Sequence, residues 1–392
     1  MEYMAQPQVV TLLEPTWDRH IHLPANMGLL RVLIAAYPSA TINFVGGQGQ
    51  IDLIKETLAS ELQQRVSFVA WEPRPDNDTL PQNLLAAYRR LKNLPPSVLQ
   101  DTSLIVLSSC TATVLTALTI MGLAKRSRAV LHGNANDLFG IRSRNPIRRH
   151  LDFRGSLQRF VKFGGRAVVL EDRIERVLKT KLPWIKNAIF TVAHTILPEE
   201  CLSDARNLVL TQPIRIGFAG NASIDKGFRD FLTFAKTVTE ANPGAFEFHA
   251  IGFLPQSSIH LDQSILITVA TGNLLRSEYI QKLQNMHFIF LWHQENYYAY
   301  APSGVVYDAI NLGIPVISRN FAQIVELAEN NWTIGYSFSD LSQAAEKMEL
   351  MAHGMENETY ILFLSSIQAL RKNYCPEKIA ETVAAKFLLT NS

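Results

Sequence analysis

The chain reads as α/β, with two consecutive doubly wound domains, each built on a parallel sheet. Short apolar runs alternate with helical patterns along most of its length, which is the signature of βαβ units. Its 392 residues exceed one ordinary core and suit two domains of roughly 150 to 200 residues each. The alternation lapses once, near residues 198–213, where polar residues gather before a new strand opens at Ile214. We therefore expect a first domain at 1–200, a second at 208–370 and a C-terminal helix at 371–392 that packs back on the first domain.

In the first domain the run VVTLL at 9–13 is a strand, followed by a loop carrying Trp17, Asp18, Arg19, His20 and His22 and by a helix near 25–37. Further strands are expected at 41–45, 66–71, 103–107, 129–132 and 167–170, each a short apolar run. A helix at 111–125 follows Ser108, Ser109 and Thr111, all capable of capping its first turn. The second domain repeats the scheme: strand 214–218, helix 226–239, strands 246–251 and 265–269, helix 277–285, strand 288–292, helix 303–311 and strand 315–318. From 341 onward the pattern is helical, with Pro376 interrupting it and an amphipathic helix at 377–389. Ligands of such sheets sit beyond the carboxyl ends of the strands, so those loops carry the search for function.

Composition excludes several classes. Hydrophobic residues at 47% and charged ones at 18% exclude a disordered or fibrous chain. Cys110, Cys201 and Cys375 are far apart and show no metal-ligand spacing, so reduced cysteines in a cytosolic protein are expected. The opening residues lack a basic segment before an apolar stretch, and no window reaches about 18 apolar residues, so neither a signal peptide nor a membrane span is expected. A net charge of +2 gives no reason to expect a nucleic-acid partner. The charge is uneven, however: Arg142, Arg144, Arg148, Arg149, Arg154, Arg159, Lys162 and Arg166 stand against one acid, Asp152, with apolar residues between them.

Two strings carry chemistry. In IRIGFAGNASIDKGF, Gly217 and Gly220 permit a sharp strand-to-helix turn, and the helix end offers N–H groups and a positive dipole to an anion. Lys226 adds a cation suited to a diphosphate. Taken alone, a glycine turn followed by a lysine is equally an ordinary βα connection. In WHQENYYAYAPSGVVYDAINLGIPVIS, Ser303 with the N–H groups of Gly304 and Val305 forms a second anion-binding helix end. Asp308, one and a half turns on, is placed to accept both hydroxyls of a ribose.

Together these strings resemble the donor-binding domain of the family 4 (group 1) glycosyltransferases, with G-x-x-x-x-x-K-G after a strand and E-x7-E leading into G-x-P-V-I. The resemblance implies a GT-B fold, two Rossmann-like domains facing a cleft. It further implies retaining transfer from a nucleoside-diphosphate sugar to a glycan or lipid-linked acceptor, in cell-surface polysaccharide or glycoconjugate biosynthesis. Lys226 would contact the diphosphate, Ser303, Gly304 and Val305 the distal phosphate, and Asp308 the ribose. The donor set also takes in Gly220, Asn221, Glu295 and Tyr300. Two positions depart from the pattern: the first glutamate falls at Tyr300, and the arginine six residues before the lysine falls at Gly220. Glu295 or His293 is then left to face the sugar. A subgroup pattern, Y-x-x-x-x-S-G-x-x-x-[ED]-A-x-x-x-G-x-P-V, fits without adjustment. Lys226 and the helix ends supply positive charge without a metal, so no metal and no cofactor beyond the co-substrate are expected. A GT-B nucleotide-sugar epimerase and a non-catalytic binding subunit are the alternatives.

In the first half the resemblance holds only in outline. It places a histidine, His132, at a strand end facing the donor sugar, so His132 and Lys226 are the catalytic candidates. Asp18, His20 and His22 offer polar groups to an acceptor, and Glu14 or Asp18 would be the base if the reaction inverted. The segment 142–166, basic with interspersed Ile141, Ile147, Phe153, Phe160 and Phe163, suits peripheral contact with an anionic leaflet at the inner face of the membrane or with a pyrophosphate-linked lipid acceptor, and is equally readable as a solvated helix face with ordinary core contacts.

Overall fold

The computed structural model describes residues 7–74, 81–197, 200, 210–253, 267–270, 274–294, 297–354 and 356–388. Glu295 and Cys201 lie outside them. The chain divides into two compact units, one formed by Met1–Thr195, Tyr300–Pro302 and Tyr374–Ser392, the other by Ile196–Ala299 and Ser303–Asn373.

The first unit holds seven strands: β1 (Val9–Leu13), β2 (Thr41–Gly46), β3 (Val66–Ala70), β4 (Leu104–Leu107), β5 (Ser127–Val130), β6 (Arg166–Val169) and β7 (Ile189–Thr191). They pair in parallel in the order β3-β2-β1-β4-β5-β6-β7. The central strand β4, LIVL, is buried at every position, as expected where helices cover both faces of a parallel sheet. Leu13, Leu107, Leu115, Phe160 and Leu178 belong to the core that the helices close. Strand order reverses between β1 and β4, so the loops after those two strands form the switch point where ligands bind.

The second unit repeats the plan with β8 (Ile214–Ala219), β9 (Phe246–Ile251), β10 (Ile267–Ala270), β11 (Phe288–Leu291), β12 (Val316–Arg319) and β13 (Gly335–Phe338). Their order is β10-β9-β8-β11-β12-β13, all parallel, with the switch point between β8 and β11. Its core is aromatic: Phe231 sits 5.4 to 6.0 Å, centroid to centroid, from Phe218, Phe228, Phe248 and Phe290.

Several boundaries move from their expected places, each for a local reason. The helix expected at 226–239 runs Phe228–Ala241, because Gly227 takes a left-handed turn (φ 80°) that ends the loop one residue past Lys226. The helix expected at 111–125 stops at Ile120, ahead of a left-handed Gly122. Strand β5 ends at Val130, which leaves His132 in the following loop. Pro376 opens the last helix, Pro376–Lys386, instead of breaking it, since a first-turn residue needs no N–H. That helix packs along Leu23–Ala36 within the first unit. The wholly buried Arg128 of β5 donates to Phe387 O, from Nε at 2.8 Å, and Lys386 Nζ donates to Thr191 O at 2.9 Å. Among the described residues Cys110 and Cys375 form no disulfide. No helix among the described residues is long and apolar enough to cross a membrane.

Candidate functional site

Each switch point carries a polar cluster. In the first unit the chain leaving β1 ends on Glu14, whose side chain is wholly buried. A carboxylate so placed must be saturated with donors. Ser108 Oγ and Asn26 Nδ2 donate to its Oε2 at 3.0 and 3.1 Å. The N–H groups of Thr16 and Trp17 donate to Oε1 at 2.9 and 3.1 Å, and Ser109 Oγ donates to the same oxygen. His22 Nδ1 stands 3.6 Å from Oε2. Burial pushes the Glu14 carboxyl up, but His22, Ser109 and the Thr16 N–H together hold it below its ordinary value.

His22 adopts a left-handed backbone (φ 61°), an arrangement that costs a non-glycine residue about 1–2 kcal/mol. Its ring lies 4.4 Å from that of His132, centroid to centroid, and His132 in turn lies 5.8 Å from His194. Burial, reinforced by His22 and His194, holds His132 well below the usual imidazole value, so its ring is neutral at neutral pH. A cavity of about 300 Å³ opens here, lined by Thr16, Trp17, His22, Ser109, His132 and Asp137 among others. Beside it Asn134 Nδ2 donates to Cys110 O at 2.7 Å, and burial pushes the Cys110 thiol up to about 12, which leaves it unreactive.

Of the expected acceptor residues, only His22 lines this cavity. Asp18 Oδ1 instead accepts from Gln50 N at 2.9 Å and so caps the helix Gln48–Thr57. His20 is exposed and absent from the cavity wall.

In the second unit β8 ends at Ala219, and Gly220 follows with φ 90°. A Cβ on Gly220 would lie 3.6 Å from both Lys226 Nζ and Val305 Cγ2, so the two glycine-marked loops converge on one spot. Their approach is tight: a Cβ on Gly227 would come within 2.1 Å of Trp292 O. Gln294 N donates to Asp225 O at 2.9 Å, tying the two loops together. Asn221 is exposed beside them.

Lys226 is half-buried, and among the described residues its ammonium makes no hydrogen bond or ion pair. Burial lowers its pKa, with Asp308 acting in the opposite sense. Below it His293 is 2% exposed, with Nε2 3.2 Å from Ser303 Oγ. Burial and the Lys226 charge push His293 down to about 3, so it is neutral and supports Ser303 rather than carrying charge. Ser303 is the first residue before the helix Gly304–Leu312, but its hydroxyl does not cap it. That hydroxyl faces His293, while Ser303 N donates to Gln323 Oε1 at 3.0 Å. The Gly304 helix has no acid in its first turn, so the N–H groups of Gly304 and Val305 stay available to an anion. At the other helix end, Asp230 in the first turn already accepts from its own N–H.

Asp308 is not a free carboxylate. Arg276 donates to Oδ1 at 2.6 Å and Tyr279 Oη to Oδ2 at 3.1 Å, while Arg276 also pairs with Glu200 through two contacts of 2.8 Å. Each Asp308 oxygen keeps a second lone pair, so a ribose hydroxyl would share it instead of holding it alone. Tyr300 groups with the first unit, its ring stacked 4.6 Å from Phe139 and its hydroxyl accepting from Lys181 Nζ at 2.7 Å. Arg276, Tyr279 and Glu200 carry no sequence signal. Ser109 did carry one, as a cap, but its hydroxyl serves Glu14 while Thr111 caps the helix through Val114 N at 3.3 Å.

No protein-family model and no curated protein sequence matches the chain. Solved structures do. A glycosyltransferase from Rickettsia africae aligns with a TM-score of 0.67 at 11% identity, over 99% of this chain and 100% of that one. HepE from Anabaena, solved in complex with UDP and glucose, aligns at 0.62 and 12% identity over 97% and 99%. An alpha,alpha-trehalose 6-phosphate synthase from Burkholderia multivorans aligns at 0.63 and 12% identity over 98% and 96%. The likeness is one of fold: the chain has the GT-B architecture of two Rossmann-like parallel sheets.

Proposed function

We propose that the chain is a glycosyltransferase that moves a sugar from a nucleoside-diphosphate sugar to a glycan or lipid-linked acceptor, in the making of a cell-surface polysaccharide or glycoconjugate. Lys226 carries the proposal. It is a half-buried ammonium with no counter-charge bonded to it among the described residues, beside a glycine loop and an acid-free helix N-terminus at a sheet's switch point. A desolvated cation in that setting is short of an anion, and a diphosphate meets the need. That HepE is solved with UDP and glucose supports a nucleotide sugar as the donor.

As the bond from the sugar's anomeric carbon to the diphosphate breaks, negative charge grows on the leaving phosphate and positive charge on the ring. Lys226 and the N–H groups of Gly304 and Val305 stabilise the former, the work a divalent cation would otherwise do. His132, kept neutral, hydrogen-bonds a donor hydroxyl, and His22, steadied by Glu14, orients the acceptor hydroxyl. Asp308 and Asn221 complete the donor set. Retention of configuration is the reading carried by the family resemblance. The 3.6 Å Glu14–His22 contact favours a second reading, inversion with His22 taking the acceptor proton.

A panel of nucleotide sugars, followed by nucleoside diphosphate release with and without EDTA and in Lys226→Ala, tests the proposal. Release that needs Lys226 and persists in EDTA is expected, and the anomer of the product separates the two stereochemical readings. Epimerised donor would mean an epimerase, and binding without turnover a binding subunit. No binding, or binding indifferent to Lys226→Ala, would overturn the reading.

A further inference from the structure

We propose that residues 139–149, in the first unit, are a docking platform for an anionic lipid bilayer, built from arginines and two isoleucines held out in solvent. The surrounding segment carries eight Lys and Arg against one acid, and the structure shows which of them are committed. Asp152 is taken by Arg142, Nε to Oδ2 at 3.1 Å, and Arg142 also donates to Arg149 O at 2.8 Å. Arg154 and Arg159 donate to the backbone carbonyls of Leu138 and His150. Arg166 is buried with its guanidinium over Phe190. Arg144 and Arg148 remain exposed, and among the described residues their side chains have no hydrogen bond or ion pair.

The apolar side is as exposed as the basic side. Ile141 is 105% exposed, and Ile147 67%. Isolated apolar residues on a surface need no explanation, but these two stand among arginines without partners in the described structure, on a stretch tied by several local hydrogen bonds. Asn145 Oδ1 accepts from Ile147 N at 2.9 Å and from Arg148 N at 3.2 Å, Pro146 opens the turn, and Arg149 Nε donates to Ser143 O at 3.2 Å. These bonds fix the turn that leads into Ile147 and leave its side chain in water.

The combination selects the partner. A nucleic acid or acidic glycan would engage Arg144 and Arg148 and leave Ile141 and Ile147 wet. A bilayer with anionic headgroups takes both, with the guanidinium groups at the phosphates and the isoleucines below them. The helix Pro146–Leu151 has six residues and is too short to lie in the interface alone, so the contact is a shallow insertion of the platform's edge.

The test is co-sedimentation of the whole chain with phosphatidylcholine vesicles, with or without a third of phosphatidylglycerol, at about 0.1 M salt, where the screening length is about 10 Å. Binding to the anionic vesicles alone is expected, and it should weaken as salt rises. Ile141→Ser with Ile147→Ser should lower it about tenfold or more. Arg144→Gln with Arg148→Gln should lower it about fivefold per arginine. These side chains are exposed and unpaired, so unchanged circular dichroism and melting control for the fold. Three outcomes overturn the proposal: no partition, equal partition to neutral vesicles, or anionic binding that survives loss of the isoleucines. The last would mark the segment as a general polyanion site. All are independent of sugar transfer.

Discussion

Replacing Lys226 with Met keeps most of its volume and removes its charge, which should move nucleotide affinity and fold stability in opposite directions. In the free protein the ammonium is half-buried and makes no ion pair among the described residues, and burial lowers its pKa. A folded-state pKa below the unfolded one means that folding disfavours the charged form. That cost is present at neutral pH and fades as pH rises through the folded value. Lys226→Met should therefore unfold at an equal or higher temperature than the wild type at pH 7, with the gap closing toward alkaline pH. Affinity moves the other way. A hydrogen bond to a charged group contributes about 1.5–3 kcal/mol, which corresponds to a loss of roughly 10- to 150-fold in Kd for a nucleoside diphosphate. Titration calorimetry with UDP, GDP and ADP finds the base, and the matching nucleoside without phosphates is the control, expected to change less than about twofold. A lower melting temperature with unchanged diphosphate affinity would refute the argument, because it would make Lys226 a structural residue. Equal losses for diphosphate and nucleoside would refute it too.

The buried network around Glu14 makes Glu14→Gln costly, by about 1–3 kcal/mol in urea denaturation at pH 7. Because its folded pKa is depressed, Glu14 contributes stability above the ordinary carboxylate range, and the difference from Glu14→Gln should shrink as pH falls below about 4. Arg128→Met leaves Phe387 O without its donors, and a loss of about 1–3 kcal/mol is expected, with earlier protease release of the helix Pro376–Lys386. Gly227→Ala drives a Cβ to 2.1 Å from Trp292 O and should cost about 3 kcal/mol or more. At Gly220 the same Cβ meets nothing closer than 3.6 Å, so Gly220→Ala should cost only the left-handed backbone, about 1–2 kcal/mol, in the same denaturation assay.

The two sheets were legible because a parallel strand covered on both faces is an unbroken apolar run, as Leu104–Leu107 and Phe288–Leu291 are. Pattern reading slipped where a single backbone conformation decides. A helix at Lys226 and a helix after Gly227 look alike in hydrophobic period, and only the close approach of Trp292 O makes the left-handed glycine necessary. Among Asp18, His20 and His22 the sequence offers three polar groups in five positions with nothing to rank them. Their fates are set by the helix Gln48–Thr57, whose N–H groups claim Asp18, and by Glu14, which faces His22. Arg276 was invisible for a related reason: it meets Asp308 across 32 positions and Glu200 across 76, and no local pattern encodes a partner that distant.

The two switch points share a fold and differ in the sign of what they leave unsatisfied. At the β1–β4 switch the buried carboxylate of Glu14 is saturated with donors and the ring of His132 is held neutral, so the cavity, with Asp137 also in its wall, presents hydrogen-bonding and acidic groups. At the β8–β11 switch Arg276 is shared between Asp308 and Glu200, and the ammonium of Lys226, which makes no ion pair among the described residues, feels the charge of Asp308 without bonding to it. On the proposed reading the first environment takes a hydroxyl and the second a phosphate: a diphosphate at Glu14 would face a buried like charge, and a neutral hydroxyl at Lys226 would leave the ammonium uncompensated. The sheets dictate only that something binds beyond the strand ends. On the proposed reading, which ligand each unit takes follows from a handful of side chains, Lys226 foremost, because its half-buried ammonium makes no hydrogen bond or ion pair among the described residues.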